Sequence, residues 1–266
     1  MTFDLVRLRL HMRAIGPISF PPGKAGNVLR GAFGMLLHGT ATEDYAHIFA
    51  PKRAGGPSGL SDPPRPFVIR AAHLDGCTFA RGEAFHFDAH LFDTREPVRS
   101  RFAEAFSRWQ DRAQLVSVER QDVSIDFSGP YEPAKNVTVT FVTPTELKAG
   151  QQLMSQPEFS ILLARLRDRI STLRALYGAG PLQIDFRAMG ERAAAARITH
   201  CDLHWHDAER RSSRTGQTHP LGGFTGEVEY EGDLGEFLPY LRAGQWTGVG
   251  RQTVWGKGEI CFRLCS

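Results

Sequence analysis

The sequence predicts an α+β protein built from two successive β-α-β-β-α-β units, each an antiparallel sheet with two helices on one face. Three observations predict it. The order strand, helix, two strands, helix, strand can be read twice along the 266 residues. Apolar residues recur at helical spacing in the segments read as helices and alternate with polar ones in the segments read as strands. Between the halves lies the turn-rich run Gly129-Pro130-Tyr131-Glu132-Pro133, which divides the chain into units 1–133 and 134–266. The pattern is that of tandem ferredoxin-like (RRM-like) units.

Each element has its own signal. Phe3 to Arg13 alternates Leu5, Leu8 and Leu10 with Arg7 and Arg9, a strand with one wet face. Pro21-Pro22-Gly23 is a turn. From Lys24 to His38, Val28, Leu29, Ala32, Met35 and Leu36 fall on one helical face. A Gly/Pro loop covers Pro51 to Pro66. Strands follow at Pro66–Ala72 and Ala84–Phe92, then a helix at Arg95–Ala113 carrying Phe102, Phe106, Trp109 and Ala113. Leu115–Phe127 reads as extended, with a bulge. In the second half, Asn136–Val142 alternates Val137, Val139 and Phe141 with Thr. Pro157–Tyr177 is the strongest helix, with Phe159, Leu162, Leu163, Leu166, Ile170, Leu173 and Tyr177 in one stripe. Ala195–Asp207 and Gly223–Glu231 are strands around a polar hairpin. Leu234–Arg242 is a short helix, and Gly256–Leu264 the final strand.

Composition bounds the function. Charged residues make up 23% and the net charge is +3, ordinary for a globular protein and only mildly basic. All but five of the 32 basic residues are Arg, whose planar fork suits bidentate phosphate contacts, although base bias in a genome gives the same excess. No apolar run approaches the roughly 20 residues of a membrane span, so no membrane association is expected. Met1-Thr2-Phe3-Asp4-Leu5 carries no basic-then-apolar leader, and a cytoplasmic protein is expected. Cys77, Cys201, Cys261 and Cys265 are scattered without a C-x-x-C pair, which points to buried free thiols rather than a zinc ribbon.

The most specific stretch is Gly248-Val249-Gly250-Arg251-Gln252-Thr253-Val254-Trp255-Gly256-Lys257-Gly258. Glycines permit positive φ and close backbone approach. Successive amides can then cradle phosphate oxygens, with Arg251 and Lys257 adding charge and Trp255 a stacking surface. A dinucleotide loop is excluded because this segment follows a helix and enters a strand. A P-loop is excluded because Lys257 is followed by Gly258. A plain helix-to-strand connection stays open. Arg210, Arg211 and Arg214, with Ser212 and Ser213, form a basic run suited to phosphate contacts or to a solvated hairpin.

The segment Phe237 to Gly258, ending in VGRQTVWGKGEI, resembles the C-terminal signature of the CRISPR repeat-processing endoribonucleases, part of the repeat-associated RNA-binding (RAMP) superfamily. WHDAERRSSR (Trp205–Arg214) with LGGFTGEVEYEGDL (Leu221–Leu234), and LRGAFGMLLH (Leu29–His38) with Tyr45–Arg70, are similar to other stretches of that family. The resemblance implies tandem ferredoxin-like units gripping CRISPR repeat RNA, with other effector-complex proteins as further partners. It also implies cleavage once per repeat without metal or other cofactor, leaving a 2′,3′-cyclic phosphate. A Gly-rich loop that contacts RNA or packs on the first helix is implied as well. Unlike many relatives, this chain has no cysteines around the first helix.

Metal-free RNA cleavage needs a base for the 2′-OH, an acid for the 5′-oxygen and stabilisation of charge on phosphorus. His38 is the first candidate. On an ideal helix it shares a face with Asn27, Gly31 and Gly34, where lack of bulk lets another backbone approach, the Gly-rich loop being the natural one. The family commonly places a catalytic His in or just after this helix. The alternative is a histidine that only favours the helix dipole. His47 is the second candidate, with Tyr45 and Lys52 nearby as base, acid and stabiliser. His200, Asp202, His204 and His206 alternate along one strand and share a face, a spacing that also allows a divalent metal, although no metal site is expected. A non-catalytic RNA-binding subunit on the same fold is the alternative function, and a metal-dependent phosphodiesterase the third.

Overall fold

The computed structural model describes residues 1–39, 41–49, 51, 63–95, 98–149, 152–207, 209–211, 218–220 and 222–265. Its principal elements are β1 (Thr2–Ala14), α1 (Ala25–His38), α2 (Thr42–Phe49), β2 (Phe67–Arg70), β3 (Ala84–Leu91), α3 (Val98–Ser107) and β4 (Ala113–Asp126). The second half contributes β5 (Asn136–Thr145), α4 (Phe159–Tyr177), α5 (Phe186–Ala193), β6 (Arg197–His206), β7 (Gly223–Glu231), α6 (Leu238–Thr247) and β8 (Ile260–Cys265).

Two four-stranded antiparallel sheets result, in the orders β2-β3-β1-β4 and β6-β7-β5-β8. Both place the first strand of the unit between its third and fourth, the arrangement of the ferredoxin-like fold. The expected bulge is present: His11 pairs with Ser117 but Met12 with Leu115, leaving Val116 over, and its side chain is exposed.

Alternation on β1 explains how the halves join. Val6, Leu8, Leu10 and Met12 enter the core under α1 and α3. Phe3 and Leu5, on the opposite face, enter the second core with Phe127, Tyr240 and the α4 stripe. The helices of the second half therefore pack on the back of the first sheet. Every residue of the predicted α4 stripe is buried.

Three expectations are corrected. The second helix of the first half ends at Ser107, not Ala113, because Ala113 pairs with Ala14 as the first residue of β4. Helix α6 continues to Thr247 rather than ending at Arg242, and Gly244 inside it admits Leu166, whose Cδ2 would lie 2.7 Å from an added Cβ. The four cysteines are free but not buried: Cys261 is exposed and the others are half-buried. The short helices α2 and α5 are additions to the predicted set. Among the described residues no helix is long and apolar enough to cross a membrane.

Candidate functional site

Helix α1 carries two close approaches. An added Cβ on Gly26 would lie 2.9 Å from Gly256 Cα and 3.1 Å from the Trp255 carbonyl oxygen. The Gly-rich segment thus docks on the first turn of α1. On Gly34 an added Cβ would lie 3.3 Å from the Phe49 ring of α2, whereas at Gly31 no atom of the described residues lies within 4 Å. The face of Asn27, Gly31, Gly34 and His38 is therefore not where the second half's backbone approaches; contact occurs at Gly26, twelve residues and roughly 18 Å along the axis from His38.

The Gly-rich segment is held mainly by its own backbone. Gly248, Gly250, Gly256 and Gly258 have positive φ, as does Gln252 at 63°. At Gly258 an added Cβ would lie 2.0 Å from the Val249 carbonyl oxygen, so only glycine fits. The amides of Gly248, Val249, Arg251, Trp255, Gly256 and Gly258 donate to the carbonyls of Gly244, Gly258, Glu146, Gln252, Thr253 and Pro144. These amides are spent within the protein rather than left to cradle an anion. Lys257 is likewise turned inward: it is buried, its ammonium donates to the Gly23 carbonyl at 3.1 Å, and desolvation lowers its pKa. Arg251 is exposed and pairs with Glu146 at 2.9 Å. Half-buried Trp255 faces Arg30, whose guanidinium carbon is 5.8 Å from its ring centroid.

At the far end of α1, His38 is exposed in the last turn and meets the Tyr45 ring edge-on, centroids 5.0 Å apart. Tyr45 in turn stacks on Phe49 at 5.0 Å with 9° between planes. His47 lies two residues from Tyr45, about 200° around α2. Its Nε2 is 3.4 Å from Asp93 Oδ2, a long contact. Asp93 is 1% exposed and takes a bidentate pair from Arg95 at 2.8 and 3.0 Å. Burial raises the Asp93 pKa, but its bonds from Arg95 and His47 outweigh this and hold it below the usual carboxylate range. The structure brings Tyr45 to His38 and turns His47 to a different partner. Lys52 and Arg214 lie outside the described residues. Arg210 and Arg211 belong to a short strand, Glu209–Arg211, paired with Thr218–Pro220.

The strand histidines do share an exposed face, with Cys201 and Leu203 packed against the core. His204 Nδ1 lies 3.7 Å from Asp202, and His206 Nε2 bonds Thr225 at 2.6 Å. Among the described residues no group of three or more His, Cys, Asp or Glu is placed to hold a metal ion.

A seam that the sequence did not reveal lies behind the Gly-rich segment. The C-terminal carbonyls of α6 accept from both halves: His90 Nδ1 to Trp246 at 2.9 Å, Arg70 Nη2 to Trp246 at 3.4 Å and Arg169 Nε to Thr247 at 3.0 Å. Cationic donors suit a helix C-terminus. Burial, reinforced by Arg70, pushes His90 down to about 3, so it is neutral. Burial, with Arg70 again adding, lowers Arg169 to about 9. Arg70 is 6% exposed, and its Nε and Nη1 have no hydrogen-bond partner among the described residues.

Residues 139–260 match the family described as CRISPR-associated endoribonuclease Cas6, and residues 3–126 match a second family, AF_1859_N, described as an N-terminal domain. No curated protein matches the chain. Among solved structures, Thermus thermophilus Cas6 (TTHB231) is similar with a TM-score of 0.62 and 16% identity, over 99% of each chain. A product complex of Cas6 (TTHA0078) has a TM-score of 0.60 and 20% identity, over 98% of this chain and 99% of that one. A RAMP protein bound to different RNA substrates has a TM-score of 0.52 and 12% identity, over 97% of this chain and 99% of that one.

Proposed function

We propose that this chain, which belongs to the CRISPR repeat RNA-processing family, is an endoribonuclease that cuts precursor CRISPR RNA once per repeat without a metal ion. The observation that carries the reading is His38. It is the exposed end of the helix on which the Gly-rich segment docks, and Tyr45 fixes its ring from one side.

In the reaction the ribose 2′-oxygen loses its proton and bonds to phosphorus. The bond from phosphorus to the 5′-oxygen breaks, and that oxygen takes a proton. The products are a 2′,3′-cyclic phosphate and a 5′-hydroxyl. An imidazole suits either transfer because its reference pKa is about 6.5. We assign one transfer to His38. His47, on α2 with Tyr45 and 3.4 Å from Asp93, is the second candidate. Arg251, exposed within the docked segment, and the basic run Arg210, Arg211 and Arg214 supply contacts to phosphates.

His38→Ala is expected to bind repeat RNA as the parent does and to lose roughly 10²-fold or more in cleavage rate. Unchanged cleavage would remove His38 from the reaction. Tight binding by the parent protein with no cleavage would make the chain a non-catalytic RNA-binding subunit.

A further inference from the structure

A line of ring contacts runs beside α1 from the Gly-rich segment to His38. Trp255 is at one end. The Arg30 guanidinium lies 5.8 Å from the Trp255 centroid and 5.3 Å from that of Phe49. Both are within the range of cation–π attraction. Phe49 stacks on Tyr45 at 5.0 Å, and Tyr45 meets His38 edge-on at 5.0 Å, separations typical of favourable ring pairs. The line exists because two glycines of α1 make room for it. Gly26 admits the backbone that carries Trp255, and Gly34 admits the Phe49 ring. Arg30, Gly34 and His38 follow one another at i, i+4 and i+8, so the line keeps to one side of the helix.

The line also crosses between the halves. Trp255 belongs to the second unit; Arg30, Phe49, Tyr45 and His38 belong to the first. An exposed histidine in the last turn of a helix samples several rotamers unless something packs against it. Here the edge-on Tyr45 ring narrows that choice, and the position of Tyr45 depends on Phe49 and Arg30. Catalysis is sensitive to such placement, since a misplacement of about 1 Å can cost 10²-fold in rate.

We infer that Trp255 and Arg30 are positioning residues: through Phe49 and Tyr45 they set the orientation of His38, so that the docked Gly-rich segment of one half tunes the cleavage step in the other. The inference rests on His38 acting in the reaction. It accounts for Trp255 without requiring its ring to touch a base, and for Arg30 without requiring it to touch a phosphate.

The test is a split between binding and chemistry. Affinity is measured with repeat RNA carrying a 2′-deoxy at the cut, and cleavage under single turnover with protein in saturating excess. Trp255→Ala is expected to slow cleavage at saturation at least tenfold while changing Kd less than threefold. Trp255→Phe, which keeps a ring for Arg30, is expected to recover most of the rate. Arg30→Lys keeps charge but loses the flat stacking surface and is expected to fall between. Tyr45→Leu is expected to cost at least as much as Trp255→Ala, and the double variant no more than Tyr45→Leu alone, because both break one line. A parent-like rate in Trp255→Ala, a loss entirely in Kd, or independent multiplicative losses in the double variant would each overturn the coupling. If the parent protein itself leaves the RNA uncut, it is the endoribonuclease reading that fails.

Discussion

Replacing either of two glycines five residues apart on α1 by alanine is expected to give opposite results. At Gly26 the new methyl would lie 2.9 Å from Gly256 Cα and 3.3 Å from Gly256 N. The first distance is about 0.6 Å inside the ~3.5 Å at which carbon atoms pack. The obstacle is backbone on both sides, so relief requires moving the Gly-rich segment off the helix. Gly256 sits at φ 81°, fixed by amide bonds on either side of it, and cannot retreat alone. Overpacking of this kind costs about 1–3 kcal/mol. The gain from alanine in a helix is at most about 1 kcal/mol and smaller in a first turn. The net expectation for Gly26→Ala is a loss of about 1–2 kcal/mol. At Gly31 no atom of the described residues lies within 4 Å, and the same substitution is expected to gain up to about 1 kcal/mol. A difference of about 2 kcal/mol between the two variants corresponds to roughly 4–8 °C in Tm for a chain of this size. Thermal unfolding of the free protein measures it. Equal Tm values, or a lower Tm for Gly31→Ala than for Gly26→Ala, would refute the docking of the Gly-rich segment on the first turn of α1.

Two further predictions concern the seam behind that segment. His90 is neutral in the folded chain because its pKa is pushed to about 3, below its unfolded value near 6.5, so the unfolded chain binds the extra proton. Stability is therefore fully present above about pH 6.5 and is lost as pH falls toward 3, by about 1.4 kcal/mol per unit from this residue. Denaturant unfolding at pH 7.5 and 5.5 should show His90→Asn, whose amide can still donate to Trp246, losing about 1 kcal/mol less than the parent over that interval; an identical loss in both would contradict the burial argument. Arg70→Met removes a buried guanidinium two of whose nitrogens have no hydrogen-bond partner among the described residues, and replacing an underpaired buried charge by an apolar side chain is often neutral or stabilising. Its Tm is expected to equal or exceed the parent's, and a fall of several degrees would show that the long bond to Trp246 matters more than its 3.4 Å length indicates.

The fold was legible where local pattern and tertiary role agree. The apolar stripe of α4 serves one buried face, and the apolar residues of β1 and β5 are buried as their pattern requires, so those elements stand where the sequence places them. Short helices were not legible. In α2 only Tyr45, Ile48 and Phe49 are large and apolar, too few to show a period. In α5 the one clear signal is the Asp185 cap, which accepts from the amides of Arg187 and Ala188. Boundaries slipped where pairing overrode pattern, as at Ala113.

The candidate site was legible in part. Sequence alone gives the Gly-rich segment and the histidines, and helical spacing gives the bare face of α1. It does not tell which glycine of α1 meets which partner, because Gly26 and Gly256 are brought together only by packing of the two halves. For the same reason Lys257 reads as a phosphate ligand in sequence and is an internal tie in structure. The group formed by Arg70, His90 and Arg169 joins residues far apart in the chain at the end of one helix, and no local motif marks it.

The most direct measurement is cleavage of the repeat RNA in EDTA, alongside the same RNA carrying a single 2′-deoxy at the cut. One cut per repeat in EDTA, leaving a 2′,3′-cyclic phosphate and abolished by the 2′-deoxy, is the predicted result. Cleavage that appears only when a divalent metal is restored, or that survives the 2′-deoxy, would contradict attack by the 2′-hydroxyl assisted by His38.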